Sequence, residues 1–437
     1  MVPAFRILGT AGIDLLNGFA IIAFLLLGLV CIAIFDRKVA RSLAPQPVLR
    51  GADFPELLQA LTVSIRSYAR GLLAQDAGRF LPWLASIISV AGGIVAFAAL
   101  SFGPAVYLAD LDTGLIFIIG ASFLGILGDV LARGFSARGA SLAGVARNGM
   151  RVASFEAASA LALISGIILA GSLSVRQVVQ AQLDQGAWFF FLAPLGFALY
   201  LASSIAGIDS AARPPVRAAS KTAQNGPDRS GIFRWPFGSL GASIHLLVGA
   251  GLASTVFMGG WLRPFASYHD HFAGTPIELL DALPPVTMVA ATAYCHWLSS
   301  VETDPVRKRL MKITSGTCAA LFVVFAGILF APAAAIAAVH GAFWFAAKMA
   351  GYIYAFLWLR ARIPQFRFGR SIRGAWNFLI PVAAINAAAV AAALVARERW
   401  DWSPAASMLL TTLFTLLFAV WLGLHDAGTT SAYRLEP

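Results

Sequence analysis

The residues with the most chemistry to offer stand inside or against long apolar runs. Glu156 falls near the start of one such run, with Arg147 and Arg151 one to two helical turns before it. A carboxylate at the middle of a membrane helix costs ~2.5 kcal/mol or more to insert. Its presence points to a paired acid that handles protons, and a salt bridge at a helix end is the competing explanation. Lys348 lies within another apolar run, where an ammonium must pair, line water or snorkel towards the surface. Asp36, Arg37 and Lys38 close the first run; they suit the rim of a polar cavity, or simply the basic stop that follows a first membrane helix. Asp110 and Asp112 precede the third run, where N-terminal capping alone would explain them.

Other reactive side chains carry less. His245 and His340 have no second ligand at helical spacing and read as core or interface histidines, while His269, Asp270 and His271 form a small external cluster. No metal site is expected. Cys31, Cys295 and Cys318 sit far apart in apolar segments, without the paired spacing of a disulfide frame or a zinc knuckle. The sequence has no glycine-rich dinucleotide fingerprint after a strand, no cysteine set for iron-sulfur clusters and no histidines at haem spacing. Any electrons must come from partner subunits.

The elements that position these residues follow from composition. Of 437 residues, 59% are hydrophobic and 12% charged, and the mean hydropathy is +0.77. A bilayer core of roughly 30 Å takes about 20 apolar residues per helical crossing, and such stretches recur from Gly12 to Gly423. The expected fold is an all-α polytopic bundle of about ten or eleven transmembrane helices, making one membrane domain over residues 1–437. The expected spans are 12–35, 81–102, 113–132, 154–172, 187–208, 239–262, 284–300, 316–338, 340–360, 375–396 and 404–424. The first has no small-residue cleavage site after it and reads as a retained helix, not a signal peptide.

Charge placement orients the bundle. On one side of the membrane these spans leave only Arg6, Arg176, Arg263, Arg397 and Arg399; Lys348 lies within a span, and the rest of the 32 lysines and arginines fall on the other side. Cytoplasmic loops hold the cationic excess, so the N-terminus is expected outside and the C-terminus inside. The net charge of +11 thus marks topology, and no nucleic-acid partner is expected. Residues 54–73 alternate Phe54, Leu57, Leu58, Leu61, Ile65, Leu72 and Leu73 with Glu56, Gln59, Arg66 and Arg70, the pattern of an amphipathic helix lying at the interface. Residues 209–236, rich in Pro, Ser, Arg and Gly, read as a flexible basic cytoplasmic loop.

Several motifs carry a family resemblance. The run Ala109-Asp110-Leu111-Asp112-Thr113-Gly114, then Ser122 to Gly128, Arg147 and Ser154-Phe155-Glu156, resembles the third and fourth helices of the H subunit of NADH-quinone oxidoreductase. That protein is the membrane component meeting the peripheral arm of respiratory complex I. Phe35-Asp36-Arg37-Lys38-Val39 and Leu57-Leu58-Gln59 are similar to the family's acidic-Arg-Lys motif and its quinone-site helix. Thr255 to Trp261 fits the end of the sixth helix, and Trp358 to Phe368 with Trp376 to Pro381 fits the family's closing motif, which includes Arg360 and Arg367.

The resemblance implies a non-redox subunit that helps form a quinone chamber and couples quinone reduction to proton translocation, inactive alone. Quinone is then the substrate, with FMN and iron-sulfur clusters held only by partner subunits of the complex, in a cell inner membrane. It implies proton-handling roles for Glu156 and Lys348. Quinone-binding or coupling roles fall to Asp36, Arg37, Lys38, Gln59, Asp110, Arg147, Arg151, Arg360 and Arg367. The anchor subunit of an energy-converting hydrogenase, or a stand-alone transporter with broken helices, are the alternatives. The chain also departs from the family. Val63, Ala242 and Gly369 stand where the family has acids, and residues 206–236 hold five cations against Asp209 and Asp228 where it has an acid-rich loop. Residues 263–339 are expected to be an inserted helix pair, and 404–424 an extra C-terminal span.

Overall fold

A computed structural model describes residues 15–32, 35, 39, 80–136, 142–212, 240–264, 283–301, 305–328, 333–362, 375–400 and 404–432. The described residues form an all-α bundle. Its helices are α1 (Leu15–Ile32), α2 (Phe80–Ala98), α3 (Gly114–Ser136), α4 (Leu142–Ala170), α5 (Val175–Asp184) and α6 (Pro194–Ala212). There follow α7 (Leu240–Phe257), α8 (Leu283–Val301), α9 (Pro305–Ile328), α10 (Ala333–Arg362), α11 (Ile380–Trp400) and α12 (Pro404–Ala432). The expected interfacial helix at 54–73 and residues 213–236 of the expected basic loop lie outside the described residues.

Seven of these helices contain windows long and apolar enough to cross a bilayer, and Trp83–Ala98, Pro194–Ile208 and Leu409–Leu422 are shorter apolar helices. The chain is therefore a membrane protein. The expected span at 284–300 is helical as α8, though outside both of those sets. Helix ends depart from expectation where polar residues continue a helix past the apolar run. Helix α4 starts at Leu142 and runs for 29 residues, about 43 Å, because Arg147, Asn148 and Arg151 extend it beyond its apolar part. The expected span at 187–208 is broken: Phe189–Leu192 forms a single turn, and Pro194 opens α6 at a position where its missing N–H costs nothing.

Helix α7 is the axis of the bundle. Residues Gly241 to Ser243 and nearly all that follow to Phe257 are buried, as expected of a helix that is apolar all round. It packs on α2, α3, α4, α5, α6 and α10. Close approach needs small residues: a Cβ added at Gly28, Gly93 or Gly251 would strike Leu247, Ile244 or Leu100. Helices α2 and α3 meet backbone to backbone, since a Cβ at Gly92 would lie 2.9 Å from the Ala121 carbonyl oxygen and one at Gly128 2.7 Å from the Ser89 nitrogen. Such contacts replace the hydrophobic drive that lipid removes between membrane helices. Helices α8 and α9 pack mainly on one another, and α4 holds α6 and α11.

Candidate functional site

Helices α3, α4 and α7 bring polar side chains together. Glu156 on α4, His245 on α7 and Ser122 on α3 form a chain: His245 Nε2 lies 3.1 Å from Glu156 Oε1, and His245 Nδ1 lies 2.8 Å from Ser122 Oγ. Asp129, 1% exposed, stands two turns after Ser122 on α3. The cluster opens on a cavity also lined by Tyr200, Ser204 and Tyr352, in which about 30 Å³ is open to the centre of a water molecule. One water needs ~10–15 Å³ by that measure, so the space suits about two.

Packing fixes this geometry. The face of α4 carrying Ser154, Phe155, Ala158, Ser159, Ala162 and Leu163 is buried, and the small members let α6 and α7 approach the Glu156 carboxylate. Tyr200 donates from its hydroxyl to the Gly249 carbonyl of α7 at 3.0 Å, and Ser204 donates to the Tyr200 carbonyl. Tyr352, 2% exposed, presents its ring and hydroxyl to the same space beside Ser204. Trp376 Nε1 donates to Ser154 Oγ at 3.0 Å, tying the π-type turn Ala375–Leu379 to the α4 face.

The expected site residues separate into groups. Glu156 is at the cavity, its side chain 16% exposed, and it stands about four turns into α4, not at a helix end. Its carboxylate is met by His245, whereas the expected partner Arg147 is exposed. Arg151 and Arg360 are half-buried on α4 and α10. Asp110 makes a 2.7 Å ion pair with Arg176 of α5 on the surface, and Arg176 also covers the Tyr107 ring. Asp36, Arg37, Lys38, Gln59 and Arg367 lie outside the described residues.

Lys348 forms a second polar centre, one turn of α10 from Tyr352. It is 6% exposed, donates to the carbonyls of Gly260 at 2.9 Å and Leu262 at 2.6 Å, and sits 4.3 Å above the Trp188 ring. The turn it grips leaves α7 through Gly259 and Gly260, with φ +72° and +52°, a conformation that favours glycine. The ammonium thus holds carbonyls of the turn just beyond the C-terminal end of α7, close to where a cation is favoured. From the same side Gln182 of α5 donates to the Thr255 carbonyl at 2.9 Å and accepts from the Phe189 amide.

Sequence reasoning passed over His245 because a lone histidine in an apolar helix has no partner visible in its own segment. It also missed α5, ten residues long with Val175, Val178, Val179 and Gln182 buried, whose short amphipathic pattern lies in an expected loop. Ala242, which stands where the resemblance has Glu, is buried, and His245 comes one turn later on α7.

Known proteins supply the remaining comparison. A sequence profile of the NADH dehydrogenase family matches residues 16–391. An H subunit of NADH-quinone oxidoreductase from Solibacter usitatus (strain Ellin6076) is 30% identical over 331 residues, 75% of this chain and 82% of that protein. An H subunit of the same enzyme from Koribacter versatilis (strain Ellin345) is 29% identical over 341 residues, 75% of this chain and 78% of that one. With the profile running from α1 into α11, and relatives at 30% and 29% identity covered over most of their length, the chain belongs to the NADH dehydrogenase family, among the H subunits of NADH-quinone oxidoreductase.

Proposed function

We propose that the chain is a membrane-arm subunit of a complex I-type NADH-quinone oxidoreductase, helping to form the quinone chamber and to couple quinone reduction to proton movement. The observation carrying this is the family match along most of the chain; it favours the complex I reading over a hydrogenase anchor or a stand-alone transporter. A quinone chamber needs an apolar tunnel with a few ionisable groups. Asp36, Arg37, Lys38, Gln59 and Arg367, with Arg147, Arg151 and Arg360, supply such groups in the segments where the family resemblance lies. Glu156 is the proton-handling acid. Lys348, gripping the end of α7, joins α10 to that helix and sets the position of the cavity wall. FMN and iron-sulfur chemistry belong to partner subunits, and the chain resides in an inner membrane with its N-terminus outside and C-terminus inside.

Affinity purification of the tagged full-length chain from its own membranes tests this reading. Other NADH-quinone oxidoreductase subunits should co-purify in defined proportion. A hydrogenase large subunit in their place, or a chain that elutes alone, would contradict it.

A further inference from the structure

We propose that His245 is the proton-relay partner of Glu156, and that the two, with Ser122 and the adjoining cavity, form one proton-transfer unit within the bundle; this rests on the membrane-arm reading above. Both imidazole nitrogens are engaged, Nε2 with Glu156 at 3.1 Å and Nδ1 with Ser122 at 2.8 Å. The ring thus joins an acid on α4 to a hydroxyl on α3, and it is carried by the most buried of the described membrane-crossing helices. A histidine serving only as packing would not need a carboxylate on one ring nitrogen and a hydroxyl on the other. Burying so many polar groups is expensive unless all are satisfied or used.

The Tyr352 hydroxyl gives an independent pointer. It lines the same cavity beside Ser204 and is 2% exposed, so a buried hydroxyl, which normally takes a hydrogen bond, faces this space. The space beside it suits about two waters by volume, and the matching ligand class is water or hydronium, not an organic molecule.

The transfer balances without any redox partner. A proton leaving Glu156 Oε1 for Nε2 of the neutral ring gives a carboxylate facing an imidazolium. The Nδ1 proton then passes to Ser122 Oγ as the serine hydroxyl gives its own proton to a water in the cavity that Ser122 also lines, leaving the ring neutral in its other tautomer. Glu156 is reprotonated from the cavity. Imidazole suits this step because its ordinary pKa, near 6.5, lets it gain and lose a proton around neutral pH.

The test uses the assembled complex carrying His245→Gln, in proteoliposomes. Glutamine can still donate and accept hydrogen bonds but cannot relay a proton. Two quantities are read: proton uptake during NADH-driven turnover, and the imidazole bands in the redox-triggered infrared difference spectrum. We expect uptake to fall at least ~10-fold, about 1.4 kcal/mol on the barrier, with the subunit composition unchanged and an imidazole band lost. Parent-like uptake, or imidazole bands identical in parent and variant, would overturn the proposal. If glutamine prevents assembly, the infrared spectrum of the parent complex labelled with ring-15N histidine decides: isotope-shifted bands support the relay and their absence rejects it. A parent complex that fails to reduce quinone would instead reject the membrane-arm reading.

Discussion

Glu156 and Lys348 are both ionisable and both within apolar helices, yet their surroundings assign them different work. Glu156 has one neighbour that can exchange a proton and a cavity beside it. Among the described residues Lys348 meets carbonyls and an indole face, partners that hold a charge without accepting its proton. Accordingly, Glu156→Gln should leave the complex assembled while coupled proton pumping falls ~10-fold or more, the range expected when a proton-transferring group is lost; pumping by reconstituted complex is the measurement. Lys348→Met should act on stability instead. It strips the Gly260 and Leu262 carbonyls of their partner, at ~1–3 kcal/mol for each group left unsatisfied, and a lower unfolding temperature in detergent would register it. At this scale the sequence revealed Glu156 and Lys348 themselves, because an ionisable residue in an apolar run is conspicuous. It did not reveal His245 as a partner, since 89 residues separate it from Glu156 and only packing makes them neighbours.

At the scale of elements, glycines decide how closely helices approach and how α7 ends. Gly259 combines φ +72° with a Trp188 ring whose atoms would lie 2.8 Å from an added Cβ. Gly259→Ala therefore meets both backbone strain, of order 1–3 kcal/mol, and a clash with the indole that carries Lys348. It should lower the unfolding temperature and loosen the turn, seen as faster amide exchange over Met258–Leu262. Gly128→Leu should separate α2 from α3 and impair assembly, read as less complex recovered per membrane, because there the obstructing atoms belong to the Ser89 and Ala85 backbones. The apolar helices were legible from length and composition alone. Their ends were not: charged and neutral polar residues tolerate helix as well as loop, so α4 runs on to Leu142, and Pro194 breaks an apolar run that otherwise looked continuous.

As a whole molecule, an all-α membrane bundle of this family is suited to work within a larger electron-carrying assembly. The motifs at 109–128 and 147–156 make that family visible in the bare sequence, since their order and spacing are specific while hydropathy alone is generic. The assembly partners leave no trace in composition. The charge distribution predicts that cysteines introduced in the Arg213 to Arg234 connection react with a membrane-impermeant maleimide only from the cytoplasmic side; periplasmic labelling would invert the topology. The decisive assay for membership of a quinone-reducing assembly is NADH-driven reduction of added quinone by the complex purified through a tag on this chain. Sustained quinone reduction, with proton uptake once the complex is placed in liposomes, is the predicted result. A preparation that contains the intact chain but neither oxidises NADH nor reduces quinone would contradict it.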